Sequence, residues 1–455
     1  MRRVASTLAW IALAVGPSLL ISWHADGAVS SAKKKATAKK KSRIPKAPPV
    51  SAKARAQANE DVSAMLGRTV DTEMENPAAM VPFFEQLRRL KRGETAGPLS
   101  ILHYGDSHTA ADELTGSMRA LLQGQFGDGG AGYSLAGKPF ASYRRLDLKS
   151  GESRGWQSEG MLSRGSDGLY GLGGISISTE LPRQSIFLQA ECRRLEVFYL
   201  RQPGGGDLRL YDNGEPVGVI ATDGELGPGY FQYEIKPEAA GGPHRFELET
   251  LRRAPVRLFG WVTEKERGVT YETLGINGAQ ASIVFRWDEA LLASHIARRN
   301  PALIVLAYGT NEATNPDWTH ENYQKMFSAL LQRMRQAAPT ASILVMGPPD
   351  RDTRTRGRWV NLEKLDRIVA AQREAALANR CGFWDMREKM GGKGAMREWV
   401  IAGLAQGDHV HFTAPGYRRL GYTLFRDLMY NYEKYNKVRE ELARVGSNDQ
   451  TGANH

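Results

Sequence analysis

Residues 100–108 have the sequence SILHYGDSH, and this stretch predicts the fold around it. Its first five residues predict a short buried strand, which ends at a glycine shortly before Ser107. A helical pattern follows, with one apolar face formed by Leu114, Met118, Leu121, Leu122 and Phe126. A serine in a strand-to-helix turn is exposed, and backbone N–H groups at the start of the helix surround it. Such N–H groups suit a developing oxyanion, so Ser107 is a candidate nucleophile.

Residues 408–411, DHVH, supply the groups that a nucleophilic serine needs. Asp408 stands three residues before His411, just ahead of the last predicted helix. A serine needs a base to become a nucleophile, and the base needs a group that orients it. We therefore predict that Ser107, His411 and Asp408 act together.

Two further stretches could complete the site. Residues 275–279 read GINGA, and the apolar run at 302–308 is followed by GTNE at 309–312. The apolar run predicts a buried strand, so GTNE would lie at its carboxyl end. Ligands in open α/β sheets bind at those ends.

Each of these residues also has an ordinary explanation. Asp106 could cap a helix, and Gly278 could satisfy a tight turn. Asn311 could be a loop residue and His411 a surface residue. Their occurrence together favours a catalytic site.

We number these stretches along the chain as blocks one to four: GDSH at 105–108, GINGA at 275–279, GTNE at 309–312 and DHVH at 408–411. The four blocks, in this order, make the chain similar to SGNH (GDSL-type) hydrolases. By this resemblance Ser107 is the nucleophile, and Asp408 and His411 complete a catalytic triad. The resemblance also implies an oxyanion hole formed by the N–H groups of Ser107 and Gly278 and the side-chain amide of Asn311.

Two positions depart from the commonest form of these blocks. His108 stands where leucine is usual, and Glu312 stands where aspartate usually follows the asparagine. Neither departure removes a catalytic group, so they concern the subfamily rather than activity.

The chain that follows the N-terminal segment predicts two kinds of structure. Residues 56–139 and 269–445 alternate apolar strands with helices, including a helix at about 359–379, and predict an α/β domain with a parallel sheet between helices. Residues 140–268 contain about eight short segments that alternate apolar and polar residues between turn signals. This pattern predicts an antiparallel β-sandwich, inserted into the α/β domain.

An SGNH domain divided in this way, with GDSH in place of GDSL, resembles the peptidoglycan O-acetylesterases of Gram-negative bacteria. The resemblance implies a flavodoxin-like sheet and a jelly-roll-like insert similar to a carbohydrate-binding module. It implies an exported serine esterase that removes O-acetyl groups from a cell-envelope polysaccharide, foremost peptidoglycan. Two alternatives are an O-acyltransferase that passes the acyl group to a glycan hydroxyl and a catalytically silent glycan-binding protein.

Nine aromatic residues lie within the predicted insert. Most should belong to its core, because small sandwiches need such residues inside. We expect one or two to be exposed platforms on which sugar rings stack. The nine are Trp156, Phe198, Tyr199, Tyr211, Tyr230, Phe231, Tyr233, Phe259 and Trp261.

The ends of the chain differ from its folded part. Two arginines precede an apolar stretch, so residues 1–28 are predicted to be a signal peptide or, alternatively, an N-terminal membrane anchor. Residues 29–55 are predicted to be a basic disordered linker, and residues 446–455 a loose tail. We expect a location in the periplasm or cell envelope.

The formal charge of +11 belongs to the N-terminal segment. Residues 1–55 contain twelve Lys and Arg against Asp26 alone, so the charges of the remaining chain sum to zero. This distribution argues against nucleic acid as a partner. The linker could contact an anionic membrane or cell wall, or it could be a solvated spacer.

Cys192 and Cys381 fall in different predicted domains, so we expect two free, buried cysteines, with a disulfide as the alternative. No Cys/His cluster has the spacing of a zinc site, and neither a phosphate loop nor a dinucleotide fingerprint occurs. We expect no metal and no cofactor.

Overall fold

The computed structural model describes residues 50–160, 166–236 and 241–452, with side chains described as far as residue 445. The predicted signal peptide or anchor at 1–28 and most of the linker at 29–55 lie outside these residues. Among the helices that the structure describes, none is long and apolar enough to cross a membrane.

A five-stranded parallel sheet forms the centre of the α/β part, as predicted. Leu102 pairs with Glu272 on one side and with Ile304 on the other, so its strand lies inside the sheet. The strand order, numbered along the chain within this sheet, is 2-1-3-4-5, which is flavodoxin-like. From edge to edge the strands are Val269–Gly275 (β13), Leu99–Gly105 (β1), Leu303–Ala307 (β14), Ser342–Met346 (β15) and Gly382–Trp384 (β18).

The described part of the chain contains ten α-helices. They are Ala52–Thr69 (α1), Val81–Lys91 (α2), Ser107–Ala110 (α3), Glu113–Phe126 (α4), Glu289–Arg299 (α5), His320–Ala337 (α6), Lys364–Ala378 (α7), Met386–Lys389 (α8), Met396–Ile401 (α9) and Ala414–Gly452 (α10).

Successive residues of the central strands face two different cores, because side chains alternate along a strand. Leu102 and Ile304 share a core with apolar residues of α5, α6 and α7. Ile101 and Leu303 share the other core with residues of α1, α2, α4 and α10. Both faces of the sheet are therefore covered, which explains why strand β1 is buried along its whole length.

The insert consists of two antiparallel sheets with a common core, as predicted. Val197 of one sheet and Leu210 of the other belong to that core. The first sheet contains Gly132–Leu135 (β2), Gln157–Gly160 (β4), Ile175–Thr179 (β5), Arg194–Arg201 (β7), Gly227–Glu234 (β10) and Val256–Glu264 (β12). The second contains Lys149–Glu152 (β3), Ser185–Ala190 (β6), Asp207–Asp212 (β8), Glu215–Ala221 (β9) and His244–Thr250 (β11).

The insert begins earlier than predicted. Strand β2 pairs with β12, so its sheet starts at Gly132 and not at residue 140. A glycine-rich run at residues 127–133 concealed this strand, because glycine disfavours strands.

Both ends of the described chain are more helical than predicted. Helix α1 begins at Ala52, inside the predicted linker at 29–55, and Ser51 caps it by accepting the N–H of Ala54 at 3.1 Å. Helix α10 continues through Gly452, into the predicted loose tail at 446–455. A glycine inside a helix costs about 1 kcal/mol relative to alanine. Helix α10 continues past Gly446 in spite of this cost.

A β-hairpin replaces the beginning of the helix predicted at 359–379. Its strands are Asp352–Thr355 (β16) and Arg358–Asn361 (β17), and α7 begins only at Lys364. The turn between the strands contains Arg356 and Gly357 with φ of +49° and +80°. Such a pair of left-handed residues is typical of a two-residue hairpin turn.

The insert also shares a core with the α/β part of the molecule. His295 on α5 stacks on Phe198 of the insert at 5.2 Å between ring centroids and meets Phe259 edge-on at 5.0 Å. Burial lowers the pKa of His295 to about 3, so this ring is neutral. Arg299, also on α5, donates to Glu264 of the insert at 2.7 Å. Apolar and ionic contacts thus hold the insert against α5.

None of the nine insert aromatics is exposed, so the expected platforms for sugar stacking are absent from this set. Phe198, Tyr199, Phe259 and Trp261 are buried, and the other five are half-buried. Part of the reason is the contact with α5, which covers Phe198 and the neighbouring Tyr230.

Cys192 and Cys381 are both free and buried, so the favoured prediction is confirmed. Burial raises the pKa of the Cys192 thiol to about 12, which makes it unreactive as a nucleophile.

Candidate active site

Ser107 is the first residue of α3 and follows strand β1 after one intervening residue. That residue, Asp106, caps the helix, because its Oδ1 accepts the N–H of His108 at 2.9 Å. Gly105 permits the sharp turn, since a Cβ there would lie 2.1 Å from the Thr109 hydroxyl. The Ser107 side chain is only half-buried in this turn.

Ser107, His411 and Asp408 form one chain of hydrogen bonds. The Ser107 Oγ lies 2.9 Å from the Nε2 of His411, and the His411 Nδ1 lies 2.7 Å from the Oδ2 of Asp408. The structure thus brings together the three residues predicted from blocks one and four, with His411 placed to accept the serine proton.

The Asp408 carboxylate is held in its ionised form. Its Oδ1 accepts the backbone N–H groups of Val410 and His411, both at 3.0 Å. Burial acts to raise the pKa of Asp408, but the hydrogen bonds from His411 and from these backbone groups lower it below the usual range. An anionic Asp408 keeps the proton of neutral His411 on Nδ1 and presents Nε2 to the serine.

The loops of the second and third blocks leave the sheet beside Ser107. Gly105 pairs with Gly275 on β13 and with Ala307 on β14, so three adjacent parallel strands end at the same level. The predicted site residues of all three loops follow within four positions of these strand ends. They therefore share the carboxyl edge of the sheet, where ligands bind in this fold class.

Three groups at this edge could donate to an oxyanion. Within the described part of the chain, the N–H groups of Ser107 and Gly278 have no protein acceptor. Gly278 has φ of +74°, a conformation that other residues adopt only with strain. The amide of Asn311 donates one hydrogen to the Ala279 carbonyl at 2.9 Å, which orients the amide and leaves its second hydrogen available.

Glu312 joins these two loops, a role that the sequence did not reveal. Its Oε1 accepts the N–H of Ala281 at 2.7 Å, and its Oε2 accepts the N–H of Gly309 at 3.0 Å. The Tyr323 hydroxyl donates to Oε1 at 3.3 Å. Complete burial raises the pKa of Glu312 to about 7, although the two backbone donors oppose this shift.

His108, the other departure from the common blocks, packs behind the triad. Its Nδ1 lies 3.0 Å from the Tyr417 hydroxyl, and its ring centroid lies 5.4 Å from that of His411. Burial, with a smaller effect from the charge of His411, lowers the pKa of His108 to about 3. The ring is therefore neutral and serves as packing and as a hydrogen-bond partner.

His409, between the two triad residues of its loop, is tied to the β16–β17 hairpin. It has φ of +57°, its Nδ1 lies 2.8 Å from the Oδ2 of Asp352, and its ring stacks on Trp359 at 4.1 Å. His409 is therefore bound by the hairpin, and His411 is the histidine that contacts the serine. The sequence predicts a helix over part of residues 352–361 and so gives no sign of the contact between His409 and the hairpin.

A serine–histidine–aspartate arrangement at the carboxyl edge of a flavodoxin-like sheet defines a class of α/β serine hydrolases. A family model described as "GDSL-like Lipase/Acylhydrolase family" matches residues 241–419. The match shows similarity to this family over 179 of the 455 residues. The matched region contains three of the four sequence blocks, and block one precedes the insert.

One solved structure resembles nearly the whole described chain. It is a peptidoglycan O-acetylesterase with 28% sequence identity and a TM-score of 0.68, and the match covers 80% of this chain and 99% of that chain. A family two carbohydrate esterase from Cellvibrio japonicus has 13% identity and a TM-score of only 0.27, over 63% of this chain and 98% of that chain. No curated protein sequence matches this chain.

Proposed function

We propose that the protein is an exported serine esterase that removes O-acetyl groups from peptidoglycan. The observation that carries the proposal is the continuous chain of hydrogen bonds from Asp408 through His411 to Ser107. The choice of substrate is supported by the similarity to a peptidoglycan O-acetylesterase, which extends through the insert as well as the α/β part.

In this mechanism Ser107 Oγ attacks the carbonyl carbon of the acetyl ester. His411 takes the serine proton on Nε2, and Asp408 stabilises the resulting imidazolium. His411 then gives this proton to the sugar oxygen as the carbon–oxygen bond of the ester breaks, which leaves an acetyl group on Ser107. A water molecule, deprotonated by His411, then attacks the carbonyl carbon of this acetyl-enzyme. The bond between that carbon and Ser107 Oγ breaks, His411 returns the proton to Oγ, and acetate is released.

The developing negative charge would be bound by the N–H groups of Ser107 and Gly278 and by the Asn311 amide. Such fixed donors stabilise a transition state because they need no reorganisation when charge develops. Gly278 and Asn311 are connected through Ala279 and Glu312, so the donor positions depend on one hydrogen-bonded unit.

Acetate release from O-acetylated peptidoglycan by the purified protein tests this proposal. The assay is run with and without an added non-acetylated glycan. Release of free acetate at the same rate in both cases supports hydrolysis. Transfer of the acetyl group to the added glycan, with little free acetate, would show an O-acyltransferase, and no reaction on any acetyl ester would leave a silent glycan-binding protein.

The proposed location follows from residues 1–55 and is tested separately. We propose that residues 1–28 direct export to the periplasm and that the basic linker contacts an anionic membrane or wall. Cell fractionation of the full chain and of a variant lacking residues 31–49 measures both. Recovery of the full chain in the cytoplasm would contradict export, and unchanged wall association of the variant at low salt would contradict the role of the linker.

A further inference from the structure

The β16–β17 hairpin is fixed to the loop that carries the triad residues Asp408 and His411. The N–H of Asp352 donates to the carbonyl of His409 at 3.1 Å, and the two side chains are bonded at 2.8 Å. Trp359, on the second strand, stacks on the His409 ring with an angle of 17° between the planes. The hairpin is therefore held against the loop that carries Asp408 and His411.

The base of the hairpin is also attached to the third-block loop. Arg351, the residue before β16, donates from Nη1 to the carbonyl of Thr310 at 2.7 Å. Thr310 directly precedes Asn311, the candidate oxyanion donor. The hairpin is thus connected both to the loop that carries Asn311 and to the loop that carries Asp408 and His411.

Three arginines project from this hairpin. Arg354, Arg356 and Arg358 are exposed, and no described carboxylate forms an ion pair with any of them. The Arg354 guanidinium lies 5.8 Å from the centre of the Trp359 ring, which itself stacks on His409 of the loop that carries Asp408 and His411. The carboxylate at the base of the hairpin, Asp352, is buried, so it does not neutralise the exposed surface.

This local excess of positive charge contrasts with the charge balance of the chain beyond its basic N-terminal segment. The residues from Ala56 onward have equal numbers of basic and acidic side chains, so a patch with three unpaired arginines is a concentrated feature. A guanidinium group binds a carboxylate through two parallel hydrogen bonds, which makes arginine suited to recognising this anion.

We propose that the β16–β17 hairpin is a carboxylate-binding arm that holds an anionic O-acetylated polysaccharide with an acetyl ester at Ser107. The inference rests on the proposed function and specifies the charge of the substrate and the residues that recognise it. Arg354, Arg356 and Arg358 form the binding surface, and Trp359 with His409 fixes its position relative to the triad.

The carboxylate has two possible sources in peptidoglycan: the stem peptides, or the lactyl group on the sugar ring once the peptide is removed. Two substrates distinguish them. One is O-acetylated glycan strands with stem peptides, and the other is the same strands after an amidase has removed the peptides. The source is the carboxylate of the glycan strands on which substitution of the three arginines lowers kcat/KM more.

The test uses a variant with Arg354→Gln, Arg356→Gln and Arg358→Gln in the full chain. Its kcat/KM is compared on carboxylate-bearing O-acetylated strands and on strands whose carboxylates have been converted to neutral amides. The ratio of the two values should fall about tenfold relative to the wild type, mainly through KM. The wild-type preference for the anionic strands should weaken as salt is added, and the variant should show less of this dependence.

The matched control carries Lys53→Gln, Arg68→Gln and Lys91→Gln, three exposed cations on helices α1 and α2. It has the same net charge as the hairpin variant and should keep the wild-type ratio. Thermal unfolding of both variants confirms that each is folded. A hairpin variant with an unchanged ratio, or an equal fall in the control, would overturn the proposal.

A binding measurement separates this inference from the proposed function. Co-sedimentation with non-acetylated strands requires no ester hydrolysis. The wild type should bind these strands more tightly than the hairpin variant, even if acetate release is not detected with any substrate. Equal binding by the two proteins would contradict the carboxylate-binding arm while leaving the esterase proposal intact.

Discussion

The carboxylate of Glu312 accepts the backbone N–H of Ala281 at 2.7 Å and thereby joins the loops of two sequence blocks. Its other oxygen accepts the N–H of Gly309, within its own block. The candidate donors Gly278 and Asn311 lie on the two loops that this side chain connects. Glu312 is therefore a positioning residue for the proposed oxyanion site, although it is itself fully buried.

Glu312→Gln should lower kcat by about tenfold to a hundredfold, because a glutamine amide presents an NH2 group to one of the two backbone N–H donors. Displaced donors bind the transition state poorly, and small displacements are costly in catalysis. Steady-state kinetics on a soluble acetyl ester measures the effect. Glu312→Asp, which retains a carboxylate, is the control and should lose less activity.

The same substitution should change how stability depends on pH. Burial raises the pKa of Glu312 from 4.5 to about 7, so its favourable contribution is complete below about pH 4.5 and is lost as pH rises through about 7. The free energy of unfolding of the wild type should therefore fall, relative to Glu312→Gln, by roughly 3 kcal/mol at most between these values. Urea unfolding at pH 4.5 and pH 8 measures the change, and a pH-independent difference would contradict the raised pKa.

His411→Ala should lower acetate release by about a thousandfold or more, because it removes the base that contacts Ser107. His409→Asn should cost far less, since His409 binds Asp352 and asparagine tolerates its left-handed conformation. Kinetics of the two variants on one ester compares them. A severe loss in His409→Asn with a mild loss in His411→Ala would reverse their roles.

Asn311→Ala should lower kcat by about a hundredfold to a thousandfold, the usual cost of removing one oxyanion donor. KM should change little, because this hydrogen bond strengthens mainly in the transition state. The amide also donates to Ala279, so thermal unfolding must show that the variant is folded. A variant with full kcat and a raised KM would remove Asn311 from the oxyanion site.

The triad could be predicted from the sequence because each member lies in a short local pattern. The patterns also occur in order at the carboxyl ends of predicted strands. The connection made by Glu312 could not be predicted in this way. It depends on Ala281, which lies 31 positions away and approaches only when β13 and β14 both flank β1.

Two elements differ from their predictions for reasons that lie in the local sequence. The strands β16 and β17 contain two arginines, two threonines and little apolar alternation, so they lack a clear strand pattern. Helix α1 begins inside the predicted linker, although Ala58, Val62 and Leu66 recur at four-residue spacing and are buried. The lysine-rich sequence before α1 favours disorder, so the sequence does not indicate where this helix begins.

The expectation of exposed aromatic platforms was wrong for a tertiary reason. The alternation of residues in the insert predicts which side chains face away from the core of the sandwich, but not what covers them. Helix α5 covers Phe198 and Tyr230 by placing His295 against both rings. Such a contact between distant segments is not visible in strand periodicity.

Acetate release by Ser107→Ala tests whether Ser107 is the nucleophile of an ester hydrolase. The variant and the wild type are compared on the same O-acetylated glycan, after thermal unfolding has shown that both are folded. The rate with Ser107→Ala should fall by about a thousandfold or more. Acetate release by this variant within tenfold of the wild-type rate would show that Ser107 is not the nucleophile.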